Sequence, residues 1–204
     1  MKIFYFRTFY IALFLTISHN SMQVHATIKF PIYVSKVIAL YLLKKKDAMP
    51  LFQLVQKNRN YLRQWLPWVD AVKKPLDQEV FIRTENQRWK ESKGLTLGIW
   101  YDKKLVGIVC FHAFDWKQRS APMGYWIDEG HQGKGIVTQS CQALIAVGFQ
   151  QLNLQDVTIS CATENYKSWA IPLKLGFVWQ KTILNAEWLY DHYVDHHVYV
   201  LKRS

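Results

Sequence analysis

The residues best able to do chemistry in this chain gather in GYWIDEGHQGKGIVTQ, residues 124–139, where an apolar run breaks into glycines and one lysine before an apolar helical pattern resumes. Glycines leading into a helix suggest a phosphate site, and their spacing says which kind. A Walker A loop, G-x-x-x-x-G-K-[ST], built on Gly133 and Lys134 needs glycine at 128 and Ser or Thr at 135; Asp128 and Gly135 stand there. A dinucleotide fingerprint, G-x-G-x-x-G, counted from Gly133 needs glycine at 138, where Thr138 stands, and an earlier strand–helix–strand unit. Both readings fail. What remains is Q-x-x-G-x over Gln132–Ile136, opening a helix directly after a strand. There the unpaired first-turn N–H groups, around Ile136, Val137 and Thr138, point outward and the helix dipole adds partial positive charge. Gly133 and Gly135 let the backbone approach a bulky pyrophosphate, and Lys134 adds a full charge. Standing alone, the same residues would equally make an ordinary glycine-rich strand-to-helix turn.

Other candidates lie downstream. Asn165 and Ser168 are three apart, so a helical or turning segment puts them on one face, where they serve a site or cap a helix start. Glu187 is followed by Asp191, His192, Asp195, His196 and His197. His192 and His196 are four apart, but in a strand-like segment that spacing makes no metal pair, and H-E-x-x-H is absent, so no metal is expected. Cys110, Cys141 and Cys161 are widely spaced, with no C-x-x-C, and read as reduced core thiols in a reducing compartment.

The elements that must position these residues follow from periodicity. VIALYLL at 37–43 reads as a strand. DAMPLFQLVQKNRNYLRQWL at 47–66 repeats its apolar positions at helical spacing, and a second helix is expected over about 76–93. LTLGIWYD, KLVGIVCFHAF and APMGYWID are rich in Val, Ile and aromatics between turn residues, and predict three antiparallel strands. After the loop come a helix, a buried strand at 155–162, a short helix over Ser168–Leu175, and two strands, FVWQKTIL and YVDHHVYVLK. The order predicts an α+β fold: a mixed, mostly antiparallel sheet of about seven strands with helices on both faces.

At 204 residues, 50% hydrophobic and 20% charged, the chain fits one globular domain with an extension. The formal charge of +11 is unevenly spread. Residues 1–46 carry seven Lys or Arg and no acid, leaving 19 basic against 15 acidic residues beyond, so the body is only mildly basic and nucleic acid is not required as a partner. MKIFYFRTFYIALFLTIS, with Val24–Ala26 as a cleavage site, has the form of a weak signal peptide, while Met22 offers an alternative start. The apolar run is too short to span a bilayer, and the later start, with a cytoplasmic location, is the reading adopted. Residues 1–35 are assigned to an extension and 36–204 to the domain.

Taken together, GYWIDEGHQGKGIVTQ, CATENYKSWAIPLKLGF and NRNYLRQWLPWVD resemble the GNAT acetyltransferases, in particular the RimL/RimJ ribosomal-protein N-acetyltransferase branch, in order over about residues 36–204. The resemblance implies that Gln132–Thr138 binds the pyrophosphate of acetyl-CoA, with Gln132, Gly135 and Val137 in the motif's defined positions; Val137 replaces the usual small residue. It implies that Tyr125, Trp126 and Ile127 lie on the strand whose backbone pairs with the pantetheine arm, although the two aromatics also suit plain packing. It assigns Asn165 to the cofactor arm, Ser168 to protonating the departing thiolate, and Glu187 to the base, a position where a surface hairpin charge is the alternative. Tyr61, Trp65 and Trp68 wall the acceptor cleft or pack in the core. The branch commonly carries a glutamate before G-Y-W, where this chain has Ala121-Pro122-Met123. The expectation is an acetyl-CoA-dependent N-acetyltransferase acting on a protein N-terminal amine. A small amine as acceptor, or a non-catalytic CoA- or nucleic-acid-binding module, stands as the alternative, and a homodimer is left open.

Overall fold

The computed structural model describes residues 28–204, so the signal-like segment and the Met22 start lie outside the described residues. The strands are β1 (Ile32–Tyr33), β2 (Ile38–Leu42), β3 (Leu95–Tyr101), β4 (Lys104–Phe111), β5 (Ser120–Ile127), β6 (Asp156–Ala162), β7 (Val178–Leu189) and β8 (His192–Lys202). The helices are α1 (Ala48–Lys57), α2 (Arg59–Arg63), α3 (Pro75–Lys90), α4 (Ile136–Gln150) and α5 (Tyr166–Lys174). One sheet runs β1-β2-β3-β4-β5-β6-β8-β7, antiparallel throughout except for the parallel β5–β6 pair.

The α+β architecture is the one read from the sequence, with one strand more. That strand, β1, pairs Ile32 with Leu40 and Tyr33 with Ala39, and Ile28 before it is buried in the main core. The folded body thus begins ahead of residue 36; two paired residues are too few to show an alternating pattern. The helix expected over 47–66 is two. It breaks at Asn58, whose side-chain amide donates to the Leu54 carbonyl and reaches Asp128, more than sixty residues away.

Successive strand side chains alternate between the two faces of the sheet. One face carries Met123 and Tyr125 of β5 and Val157, Ile159 and Cys161 of β6, packed with the apolar stripe of α4 at Ile136, Cys141, Leu144 and Ile145. The other carries Ile108 and Trp126, packed with Leu51 of α1, Ile82 of α3 and, through Trp126, the cluster of Val55, Leu62 and Val69. Each fully buried leucine or isoleucine contributes about 1.5–3 kcal/mol, so both helical layers are held firmly against the strands between them. Cys110, Cys141 and Cys161 are free and buried. Among the described residues no helix is long and apolar enough to cross a membrane.

Candidate active site

The site starts where the parallel strands part. Pairing of β5 with β6 runs from Ser120–Asp156 to Met123–Ile159 and stops, while β5 stays paired with β4 as far as Ile127–Gly107. Among the described residues, Gly124–Ile127 therefore have a strand partner on one edge only. An unpaired edge of this kind offers backbone donors and acceptors to an extended ligand, as an added strand would use them. Pro122 lies within the paired part, exposed, and its carbonyl accepts from the His112 N–H at 2.8 Å.

Beyond Ile127 the chain makes a short turn at Glu129–His131 and enters α4 through Gly133 (φ 74°) and Gly135 (φ 70°). Gly135 is the N-cap, and no side chain caps the helix, so the first-turn N–H groups keep their capacity to bind an anion. A Cβ at Gly133 would meet nothing within 4 Å, so glycine is required there for its left-handed backbone and not for space. Lys134 is exposed, its ammonium 5.9 Å from the Tyr101 ring centre. Ile136 and Val137 are buried, so the bulky Val137 points into the core and leaves only its backbone to the loop surface. The Gln132 side chain bridges the mouth of the loop: its amide nitrogen donates to the Tyr61 hydroxyl of α2, and its oxygen accepts from Lys167 of α5 at 3.0 Å.

Ser168 stands on the same side of the slot. Asn165 is the N-cap of α5, its Oδ1 accepting the Ser168 N–H at 3.1 Å, so the capping role falls to Asn165 and the serine hydroxyl is spared for other work. That hydroxyl lies 3.2 Å from Cys161 Sγ and 3.4 Å from the Tyr125 hydroxyl, which itself donates to the Ser168 carbonyl at 2.9 Å. Burial pushes the Tyr125 phenol well above its ordinary value and raises the Cys161 thiol too, so both are neutral neighbours at physiological pH.

Glu187 approaches from the opposite face. On β8, His196 pairs with Ala162, the neighbour of Cys161, so it lies on the face opposite Cys161. The β7–β8 register jumps between Ile183–His196 and Glu187–Val194, a bulge at Leu184–Ala186 that takes Asn185 to φ 49° and is held by its N–H donating to Asp195 at 2.8 Å. The bulge brings Glu187 to 3.6 Å from His196. Burial pushes the Glu187 carboxyl up to about 7, into the range of a general base at neutral pH. The same face holds the half-buried aromatics. Trp68 lies 6.2 Å, ring centre to ring centre, from Trp126, and Tyr61 packs on the same small cluster. Trp65 is half-buried but outside that cluster. At the hairpin tip the Tyr190 hydroxyl donates to the Leu66 carbonyl at 2.7 Å, and Arg63 sits 3.8 Å over the Tyr190 ring.

A strand slot ending at a helix N-terminus, with a hydroxyl on one face and a carboxyl on the other, is found here in a chain whose residues 38–178 match the acetyltransferase (GNAT) domain. The chain belongs to the GNAT family. It is 31% identical over 168 residues to the ribosomal-protein-serine acetyltransferase of Escherichia coli (strain K12), covering 82% of this chain and 94% of that protein. Among solved structures it is similar to RimL, the ribosomal L7/L12 alpha-N-protein acetyltransferase in complex with coenzyme A, with a TM-score of 0.82, 27% identity, and 84% and 97% of the two chains covered. It is also similar to MccE, the microcin C7 self-immunity acetyltransferase in complex with acetyl-CoA and AMP, with a TM-score of 0.80, 29% identity, and 83% and 94% covered. The protein is an N-acetyltransferase of the RimL/RimJ-like branch that uses acetyl-CoA as acetyl donor.

This GNAT site has one part that sequence reasoning missed. Asp128, only 1% exposed, receives the Lys57 ammonium at 2.9 Å, the Asn58 amide at 2.7 Å and His131 Nδ1 at 2.6 Å. The Asn58 side-chain oxygen, Oδ1, accepts the Glu129 N–H at 2.9 Å. Burial alone would raise the Asp128 carboxyl, but these partners outweigh it and hold it below the ordinary carboxylate range. The knot ties the start of the loop that leads into α4 to the end of α1. An acid at a strand end and an Asn that interrupts a helical pattern are its only local signals.

Proposed function

We propose that this enzyme acetylates the N-terminal amine of a protein, a ribosomal protein in the first instance, by direct transfer within a ternary complex in the cytoplasm. The observation that carries the reading is the division of groups across the slot: Ser168 lies on one face of the sheet and Glu187 on the other, beside the aromatic wall. Acceptor and donor can then meet at the slot from opposite sides. The name of the E. coli relative supports a ribosomal protein as acceptor, and that of RimL, an alpha-N-protein acetyltransferase, supports its N-terminal amine.

In this reading the unpaired edge of Gly124–Ile127 holds the pantetheine arm, and the backbone of Gly133–Thr138, with Lys134, holds the pyrophosphate. Asn165 keeps α5, and with it Ser168, in register with the arm. Glu187 takes a proton from the acceptor ammonium. With an α-amine pKa of roughly 8 and a carboxyl at about 7, that transfer is uphill by only about 1.4 kcal/mol. The freed amine attacks the thioester carbonyl, a C–N bond forms, the oxyanion is met by backbone N–H of the unpaired strand, and the C–S bond breaks. Ser168 Oγ–H gives its proton to the departing thiolate; the second proton of the attacking nitrogen leaves to solvent as the amide forms, and the serine regains its own from solvent.

The likeness to MccE, whose structure holds AMP together with acetyl-CoA, supports one second reading, a small molecule bearing an amine as acceptor. Free-thiol release from acetyl-CoA, measured with ribosomal-protein N-terminal peptides and with a set of small amines, decides between them. Higher kcat/KM with peptides, and acetylation of the α-amine by mass spectrometry, are expected. Turnover with small amines alone would overturn the protein-acceptor reading.

A further inference from the structure

We propose that His196 is a positioning residue that shares a proton with Glu187 and carries it from the site to solvent; this rests on Glu187 being the base. The geometry comes from the β7 bulge. Glu187 stands directly across from Val194, and residues two apart on a strand share a face, so His196 is its diagonal neighbour on the acceptor face. The Glu187 Oε2 to His196 Nε2 separation is 3.6 Å, with both side chains mostly buried, 21% and 20% exposed. That is just beyond a direct hydrogen bond, and catalytic contacts that are long in the free enzyme tighten in the substrate complex. The neighbours of His196 leave it few other partners. Ala162 on β6 and Ile183 on β7 are its paired residues, both without charge; Glu187 is the acid on its face, and Asp195, next to it on β8 and facing the other way, acts on it only through its charge.

Burial lowers the His196 imidazole and raises the Glu187 carboxyl, with Asp195 partly opposing the first shift. The usual gap, in which an imidazole holds a proton far more strongly than a carboxylate, is thereby removed, and the short separation gives the proton a path between the two groups. The sequence balances. The acceptor ammonium gives its proton to the Glu187 carboxylate, the carboxylic acid gives it to neutral His196, and the imidazolium releases it to water. Glu187 is restored as a carboxylate for the next turnover, and no oxidant or further reactant is needed.

The test is the pH profile of kcat/KM for a peptide acceptor in the wild-type enzyme, His196→Gln and His196→Ala, with Glu187→Gln in parallel. Both groups must be unprotonated in the active form, so the acid limb of the wild type steepens to two protons. His196→Gln is expected to lower kcat about 10-fold, less than the roughly 10²–10⁴ of a group that takes the proton from the substrate itself because Glu187 remains, and to reduce the limb to one proton. Added imidazole should restore turnover in His196→Ala and not in Glu187→Gln. A His196→Gln enzyme with unchanged kcat and an unchanged acid limb overturns the inference while leaving Glu187 as the base. A slower His196 variant with an unchanged limb and no imidazole rescue overturns it too, since that is the signature of a packing role. Full activity in Glu187→Gln would instead overturn the base assignment beneath it.

Discussion

Replacing Glu187 with glutamine should make the protein more stable and almost inactive, a pairing that a surface hairpin glutamate could not give. Burial raises its carboxyl from an ordinary 4.5 to about 7, so the folded protein holds a proton there that the unfolded chain releases. Between those values the folded state binds more protons, and stability falls as pH rises. The loss is complete above about 7, where the charged carboxylate is held in a poorly solvated place. At about 1.4 kcal/mol for each unit, the shift corresponds to about 3 kcal/mol, an upper figure because one-fifth of the side chain still meets solvent. Glutamine carries no charge to desolvate and nearly the same shape. At pH 8 the Glu187→Gln enzyme should therefore melt about 5–10 °C higher than the wild type, given about 2–4 °C for each kcal/mol in a domain of this size. Near pH 4 the difference should vanish. The same variant should lose about 10²–10⁴ in kcat, as expected when a general base is removed. Thermal melts at the two pH values and initial rates of thiol release measure both. An unchanged melting temperature at pH 8 with unchanged kcat would refute the placement and the role together.

Asn58→Ala removes one partner of Asp128 and the acceptor of the Glu129 N–H, each loss worth about 1–3 kcal/mol. CoA affinity by calorimetry should fall about 10-fold with kcat largely kept; a lower melting temperature with unchanged CoA affinity would make the knot a stability feature alone. Gly135→Ala forces an L-residue to φ 70°, at about 1–2 kcal/mol, and should raise KM for acetyl-CoA while leaving KM for the acceptor unchanged. Tyr190→Phe deletes the bond to the Leu66 carbonyl, about 1 kcal/mol, and should raise acceptor KM about 5-fold without affecting CoA binding.

The parts of the site legible in the sequence are those with local causes. The helix start after Gly135 shows in the return of helical spacing, and the conformational demand at Gly133 and Gly135 shows in residue type, because only glycine takes a positive φ without penalty. Their spacing puts Asn165 and Ser168 together but does not decide which of them caps α5. That depends on where the helix begins, and the observed start at Tyr166, two residues before the expected one, gives the cap to Asn165. The Asp128 knot and the break at Asn58 were illegible for one shared reason. The amide that ends α1 does so because its partner stands across a strand and a loop, and no window of neighbouring residues contains both.

The bulge in β7 carries the same lesson into the chemistry. A regular β7–β8 ladder continued from Ile183–His196 would place residue 185 opposite Val194, and residue 187 near the turn. Leu184–Ala186 occupy the space opposite Asp195 alone, and the shift sets Glu187, not Asn185, against Val194. Side-chain parity then fixes the rest. Cys161 faces Ser168 and Tyr125 on the α5 side, so Ala162 and its partner His196 must face the other way, toward Trp126 and the aromatic wall. In the proposed mechanism the proton donor, Ser168, and the proton acceptor, Glu187, are thus kept on opposite sides of a sheet that opens only beyond Met123. A serine hydroxyl and a glutamate on one face could exchange a proton with each other and bypass the substrates. Held apart by the sheet, they communicate only through the molecules that fill the slot.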